Sequence, residues 1–276
     1  SIIMGINSKS EILNPKQIKN FKFQNPKSFF GIALDGTGYG LDGKIWGGEI
    51  FKISPLIKGV GGIIRIGHLE NQIMIGGDLA VKEPARMLIS ILDKFSIFNF
   101  QFSNKSQFSI FKTKKDFIYS FVKKFYTCNQ FELLYNQSQN NFNCVETSST
   151  GRILDAVSIL LGFAKNERNY KHEPIDLLEK NSASPYPNLR PKITFNFQLS
   201  TFNLLTTPLF EYLIKNINKD KKRLAATAQL YIAQGLHKII KKNIHNTKYA
   251  MPNTFLAGGI SNNKIISSYF NAKGTS

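Results

Sequence analysis

An aspartate set among closely spaced glycines is the first chemistry visible in this sequence. The run Phe29 to Leu34 is apolar and strand-like, and it ends on Asp35-Gly36-Thr37-Gly38-Tyr39-Gly40. A second short run, Lys44 to Trp46, leads into Gly47-Gly48-Glu49, and most of the chain's 20 glycines lie between Gly31 and Gly77. Glycine reaches positive φ without steric cost and lets a ligand approach the backbone closely. Such a turn suits a phosphate held by backbone N–H groups, with the carboxylate facing a metal or a hydroxyl. Taken alone, the stretch is equally the tight turn of an ordinary β-hairpin, because short glycine motifs recur by chance.

Two further stretches carry candidate chemistry. Glu146-Thr147-Ser148-Ser149-Thr150-Gly151-Arg152-Ile153-Leu154-Asp155-Ala156 opens a helix, with Ser148 or Ser149 as its N-cap. Ile153, Leu154, Val157, Leu160 and Leu161 give it one buried stripe, and Gly162 ends it. Arg152 and Asp155 are expected to stand off that stripe near the N-terminus, where the helix dipole favours an anion. Asp155 could then meet a ribose hydroxyl and Arg152 a phosphate, or the two could form an (i, i+3) surface pair with each other. Near the end of the chain, Thr254 to Ala257 reads as a buried strand, Gly258-Gly259 as a turn, and Ser261-Asn262-Asn263 as the cap of a helix from Lys264. A strand, paired glycines and a helix N-terminus make a second nucleotide-contacting turn.

The elements that must position these residues follow from periodicity. Phe29–Asp35, Lys44–Ile53 and Gly62–His68 form an antiparallel meander. A helix starts around Lys82–Arg86 with Pro84 in its first turn, and Met87, Leu88, Ile91 and Leu92 give its apolar face. Residues 97–145 are rich in aromatics and lysine, and their second part reads as one helix buried through Phe117, Phe121, Val122, Phe125 and Leu133. Residues 165–190 read as loop around a short helix, Ile175–Lys180, followed by a strand, Lys192–Leu199. Helices then run over Pro208–Ile217 and Arg223–Ile240, the second buried through Leu224, Ala228, Tyr231, Ile232, Leu236 and Ile239. Residues 1–28 read as an irregular lead-in, with Pro15 and Pro26.

Composition sets the outer bounds. The 276 residues are 42% hydrophobic with 23 Phe and 10 Tyr, enough for a real core and incompatible with disorder. The net charge of +18 comes mostly from lysine in a sequence also rich in Asn, Ile and Phe, a mixture that AT-rich coding produces. That origin is preferred to a dedicated nucleic-acid face. The two cysteines, Cys128 and Cys144, have no metal-ligand spacing and read as free thiols of a reducing compartment, the cytoplasm. No run of about 18 apolar residues is present, so no membrane span is expected. The opening Ser1-Ile2-Ile3-Met4 reads as the middle of a longer protein.

In order along the chain, DGTGYGLDGKIWGGE, GGDLAVKEPARM, ETSSTGRILDAVSILLG and FLAGGISNN resemble the carbamoyltransferase module of the HypF-type hydrogenase maturation proteins. The resemblance covers roughly residues 29–270. Small-molecule O-carbamoyltransferases and the TsaD-type threonylcarbamoyl transferases are more distant relatives. The resemblance implies an α/β fold, an actin-like (ribonuclease-H-like) lobe with a mixed sheet and packed helices, half of a two-lobe nucleotide-binding architecture. It implies that residues 29–276 form the second lobe, with a helical aromatic and lysine-rich insertion near 97–145. The implied reaction moves a carbamoyl group from carbamoyl-adenylate to the C-terminal cysteine thiol of a HypE-type partner, on the way to the cyanide ligands of nickel-iron hydrogenases. Carried over residue by residue, Asp35 and Thr37 are the catalytic pair, and Asp35 is also a ligand of a divalent metal, Fe, Zn or Mg. Gly36, Gly38, Gly40, Arg152, Asp155, Gly258, Gly259 and Asn263 then contact nucleotide or phosphate.

The same resemblance marks departures. The family's His-x-x-x-His metal pair and its later Asp-Gly-Gly turn have no counterpart here, and its Tyr-Glu-Gly motif appears as Tyr170-Lys171-His172. Carbamoyl phosphate and ATP would be handled by acylphosphatase-like, zinc-finger and adenylate-forming modules that this sequence does not show. Readings that compete are a small-molecule O-carbamoyltransferase and a degenerate, non-catalytic interaction lobe.

Overall fold

The computed structural model describes residues 29–57, 60–95, 111, 113–244 and 253–274. Three strands, β1 (Phe29–Tyr39), β2 (Ile45–Ile57) and β3 (Val60–Leu69), follow one another as an antiparallel meander. The expected meander is thus present, with each strand longer than its apolar run. β8 (Thr254–Ala257) adds to the free edge of β1 in parallel, Phe30 opposite Thr254 and Ala33 opposite Ala257. On the other edge of β2 lie both β5 (Cys144–Thr147), which meets it at Ile45, and β3 from Glu49 onward. β4 (Gln72–Ile75) extends β5, while β7 (Thr201–Leu204) and β6 (Ile193–Asn196) extend β3 to complete an eight-stranded mixed sheet.

The period-two pattern decides which face of β1 is buried. Phe30, Ile32 and Leu34 point into the core with Ile50 of β2, and Ile32 and Leu34 are wholly inaccessible. Two helices cover that face, α5 (Thr150–Leu161) against β1 and β2, and α8 (Lys221–Asn243) against α5, β3 and β7. α8 is buried through Leu224, Ala228, Tyr231, Ile232, Leu236 and Ile239, the stripe its periodicity predicts. Asp220 caps it by accepting from the backbone N–H groups of Lys222 and Arg223. Around this pair stand α1 (Leu79–Lys82), α2 (Ala85–Asp93), α6 (Glu173–Lys180), α7 (Thr207–Lys215) and α9 (Lys264–Asn271). Pro84 sits at the N-cap of α2, one residue ahead of the expected first turn, and α1 precedes it as a separate turn of helix.

Two expectations need correction. The single helix read over the lysine-rich stretch is two, α3 (Lys114–Val122) and α4 (Cys128–Gln139). Each begins with its own capping box, Thr113 with Asp116 and Thr127 with Gln130, and the second box restarts the helix at Thr127. The restart rotates the pattern, so Phe131 and Leu134 are buried and Leu133 is 72% exposed. The strand read over Lys192–Leu199 stops at Asn196, whose Oδ1 accepts from the backbone N–H groups of Gln198 and Leu199 and turns the chain back into β7. The expected lead-in over residues 1–28 and the aromatic segment over 96–110 lie outside the described residues.

The β1–β2 ladder shifts register between Leu34 and Gly38. That bulge frees Asp35, Gly36 and Thr37 from the ladder at the point where the sheet meets the start of α5. Gly48 passes so close to the Ser148 carbonyl that an added Cβ would lie well inside van der Waals contact, whereas Gly43, at φ 73°, faces open space. Gly48→Ala is expected to lower stability by about 1–3 kcal/mol through overpacking against backbone. Gly43→Asn, at a left-handed turn position that Asn tolerates, should leave the chemical denaturation midpoint almost unchanged.

Candidate active site

The end of β1 is clamped from three sides. Ser149, the N-cap of α5, donates its hydroxyl to the carbonyl oxygens of Asp35 and Gly36, both at 2.8 Å, and accepts from the Arg152 N–H at 3.2 Å. Gly151 on the next turn brings its Cα so near Gly36 that a Cβ there would stand 2.7 Å from the Gly36 Cα. From β2, Gly47 backs onto the Asp35 carbonyl with no room for a side chain. From β8, Gly258 adopts φ 99° and overlies the Leu34 carbonyl, which accepts from the Ile260 N–H at 3.0 Å. Each approach requires glycine at a position where a Cβ would collide with backbone.

Clamping leaves the Asp35 carboxylate on the open side, where Oδ1 accepts from the Gly36 N–H at 2.7 Å. It faces a cavity of about 320 Å³ lined by Ala33, Asp35, Gly38, Tyr39, Trp46, Gly47, Glu49, Phe51, Ile63 and Gly258. Gly38 and Gly258, one from each of the two nucleotide-contacting turns read in the sequence, therefore meet at one place. Gly259 joins them, since a Cβ there would stand 3.7 Å from both Asp35 Oδ1 and His172 Cε1. Thr37 is exposed and does not line the cavity, although its neighbour Gly38 does. Gly40 does a different job from the expected phosphate contact: the Trp46 ring lies flat against it, and its N–H closes the hairpin on Lys44 O at 2.8 Å.

Arg152, Asp155 and Asn263 do not line this cavity. The two residues of α5 were expected off the buried stripe, yet α5 is covered almost all round because β1, α2, α6 and α8 surround it. Arg152 is 4% exposed and Asp155 wholly buried, and their (i, i+3) pair at 3.0 Å is an interior one. Arg168 from the loop after α5 joins them, its Nη2 2.9 Å from the same Asp155 oxygen. Burial pulls the Arg152 guanidinium below its ordinary pKa, while the neighbouring carboxylates Asp155 and Asp35 work the other way. Asn263 caps α9 as read, but its amide nitrogen donates to Glu179 at 2.9 Å and to Gln229 at 2.7 Å. It is a buried junction between helices.

Sequence reasoning passed over Glu49. It is 1% exposed at the floor of the cavity, and its Oε2 accepts from the backbone N–H groups of Gly47 and Gly48 at 2.6 and 2.8 Å. Its Oε1 accepts from the Ser148 hydroxyl and from Arg65 Nη2 at 3.1 Å. Burial raises its pKa above the ordinary carboxylate value, and these hydrogen bonds together with the Arg65 charge hold it down in part. Arg65 also lies 4.1 Å over the Trp46 ring, whose indole N–H donates to Asp42. A lone carboxylate inside the apolar run Ile45–Phe51 was the available signal: such a residue is buried only when paired and hydrogen-bonded.

The antiparallel meander, the parallel strand returned to its first edge, and the glycine turns gathered at that strand's end define an actin-like, ribonuclease-H-like lobe. A family described as the carbamoyltransferase Kae1-like domain, second subdomain, matches residues 31–275. The chain belongs to that family. It is 41% identical over 239 residues to a probable carbamoyltransferase HypF of Methanocaldococcus jannaschii, covering 85% of this chain and 27% of that protein. It is 31% identical over 213 residues to the carbamoyltransferase HypF of Synechocystis, covering 73% and 25%. The crystal structure of T. kodakarensis HypF superposes with a TM-score of 0.67 at 26% identity, over 89% of this chain and 30% of that one. Full-length HypF in a phosphate- and nucleotide-bound form superposes at 0.69 with 22% identity, over 91% and 35%, a likeness of fold. The chain thus spans about a quarter of the length of the curated relatives it matches. Among the described residues no helix is long and apolar enough to cross a membrane.

Two outcomes are expected from this geometry. Asp155→Ala leaves two buried guanidinium groups without their shared anion and should cost about 3–5 kcal/mol in denaturant unfolding, whereas a surface pair would cost under about 1. His68, 3% exposed, donates Nδ1–H to the Leu69 carbonyl at 2.7 Å, and burial with the nearby Arg65 charge pushes its pKa down to about 4 from 6.5. The unfolded chain therefore takes up this proton first, and stability is complete above pH 6.5 and falls as the pH drops towards 4, by up to about 3 kcal/mol. Glu49, with its raised pKa, works in the opposite direction, so the comparison of wild type with His68→Gln isolates the histidine. The variant should show the flatter profile over that window.

Proposed function

We propose that this chain is the phosphate-turn lobe of a HypF-type carbamoyltransferase, and that Asp35 and the Gly36–Gly38 turn form its half of the reaction centre. The observation that carries this reading is the single cavity that Asp35 shares with Gly38, Gly47 and Gly258, in a family whose curated members are named carbamoyltransferases. The substrate side of the proposal is a carbamoyl group carried as carbamoyl-adenylate, and the acceptor is the C-terminal thiol of a HypE-type protein. The step is acyl transfer: the acceptor thiol releases its proton to solvent, its sulfur forms a bond to the carbamoyl carbon, the carbon–oxygen bond to the adenylate breaks, and AMP leaves with that electron pair. Orientation and a polarised carbonyl dominate such a reaction.

The residues here supply part of what it needs. The Asp35 and Glu49 carboxylates and the backbone of Gly38, Gly47 and Gly258 line the cavity, and Trp46, Tyr39 and Phe51 narrow it on the sheet side. Ser149 and Glu49 hold the two walls of the turn, one through the Asp35 and Gly36 carbonyls and the other through the Gly47 and Gly48 N–H groups. The fit to a divalent metal is incomplete. Among the described residues no group of three or more His, Cys, Asp or Glu could hold one, and Asp35 offers a single carboxylate. No step is assigned to a metal for that reason. The Asp155 and Asn263 side chains, expected to contact nucleotide, are likewise already used inside the fold.

In the full-length protein, Asp35→Asn keeps the shape and the Gly36 contact while removing the charge. It is expected to lower carbamoyl transfer to the acceptor thiol by about 10²-fold or more, read by mass spectrometry of the acceptor, with little change in melting temperature. Transfer at the wild-type rate would sink the assignment of Asp35 to the reaction centre.

A further inference from the structure

The far end of the sheet carries a second feature that the carbamoyl chemistry does not use. β6 pairs with β7 and, among the described residues, with nothing on its outer side. Leu205 N–H donates to Lys192 O at 3.0 Å, so the alternation of an antiparallel ladder turns the backbone groups of Thr194 and Asn196 towards β7 and those of Ile193 and Phe195 outward. The hairpin tip beyond this edge is apolar and uncovered: Phe195, Phe197 and Leu199 are 39%, 85% and 62% exposed. Phe195 is locked between Phe197 and Phe202, at ring-centroid distances of 5.0 and 4.7 Å, so the patch is a fixed platform.

Its charge is mainly positive, with Glu211 of α7 near enough to Lys192 to interact with it. Arg190 and Lys192 lead into β6, Lys238 binds Pro191 O, and Lys242 stands over the Phe202 ring. No aspartate or glutamate occurs between residues 181 and 210. Exposed edges are ordinarily blunted by charge or covered, because free N–H and C=O groups template another strand. Here the charge is present but the adjoining apolar tip is left open, which suits a partner that brings both acidic and apolar side chains.

We infer that the β6 edge is a docking surface for an extended protein segment of alternating apolar and acidic residues, added to the sheet as a ninth strand. Backbone pairing to Ile193 and Phe195 supplies affinity, the Phe195–Phe197–Leu199 platform takes the apolar side chains of one face, and Arg190, Lys192 and Lys242 select for acid. The surface lies across β2, β3 and β7 from the Asp35 turn, so it is separate from the proposed reaction centre.

The test uses the 276-residue chain and a fluorescein-labelled peptide of alternating valine and glutamate, followed by anisotropy. Binding is expected to weaken at least about tenfold when NaCl rises from roughly 0.05 to 0.5 M. It should weaken by about tenfold or more in the double variant Phe197→Ser/Leu199→Ser, whose melting temperature is compared with wild type. Arg190→Glu/Lys192→Glu should lose the glutamate peptide and gain its lysine counterpart. Failure of the glutamate peptide to bind, or equal binding of the lysine peptide by the wild-type chain, overturns the inference. So does binding unchanged in both double variants. Variant-sensitive binding to phosphatidylserine vesicles without peptide binding would assign the patch to a membrane surface instead, and variant-sensitive self-association would assign it to a second copy of the chain; either outcome also overturns it.

Discussion

Everything around Asp35 depends on one steric constraint, the backbone-to-backbone contact around the end of β1. Gly47, Gly151 and Gly258 come from three different elements, and each approaches the Leu34–Gly36 backbone where a Cβ would collide with it. A strand held that closely cannot turn its Asp35 side chain into the protein. The carboxylate is left facing the cavity, while the Ser149 hydroxyl satisfies the two carbonyls that the bulge releases. The site is therefore made by exclusion as much as by attraction.

The polar groups buried around that contact divide into two separate clusters. Glu49, Arg65 and Ser148 hold the β2 wall and sit against the cavity. Arg152, Asp155 and Arg168 lie on the opposite side of the turn, inside the protein, and share one carboxylate oxygen between two guanidinium groups. Buried ion pairs return little net stability because desolvation offsets their attraction. Their effect here is to fix position. Arg152 stands against the Gly36 turn from within, its Nη2 3.2 Å from where a Cβ at that glycine would lie. The Asp35 turn is thus braced from within, while the Asp155 and Asn263 side chains are taken up by contacts inside the fold.

Much of this was legible in the sequence, for local reasons. The glycine turns, the Ser149 and Asn263 caps, the Gly162 stop and the stripe of α8 are all set by conformational preferences within a few residues. The order of DGTGYG, GRILDA and AGGISNN pointed to the family. What misled was also local. Asp155 and Arg152 looked exposed because a single helix shows only its own amphipathic pattern, and α5 is enclosed on nearly every side. Leu133 looked buried because periodicity was carried through Thr127, where a new capping box resets it.

By itself the sequence determined the elements, their caps and turns, and the carboxylate that ends the apolar run of β1, since these rest on short-range sterics and hydrogen bonding. Only the tertiary structure decided which residues share the cavity. It brought Gly258 beside Asp35 through the parallel pairing of β8 with β1, strands more than two hundred residues apart in the chain. It withdrew Asp155 and Asn263 into the interior and placed Glu49 at the cavity floor. Burial and long-range pairing depend on how elements pack against one another, and no local pattern encodes that.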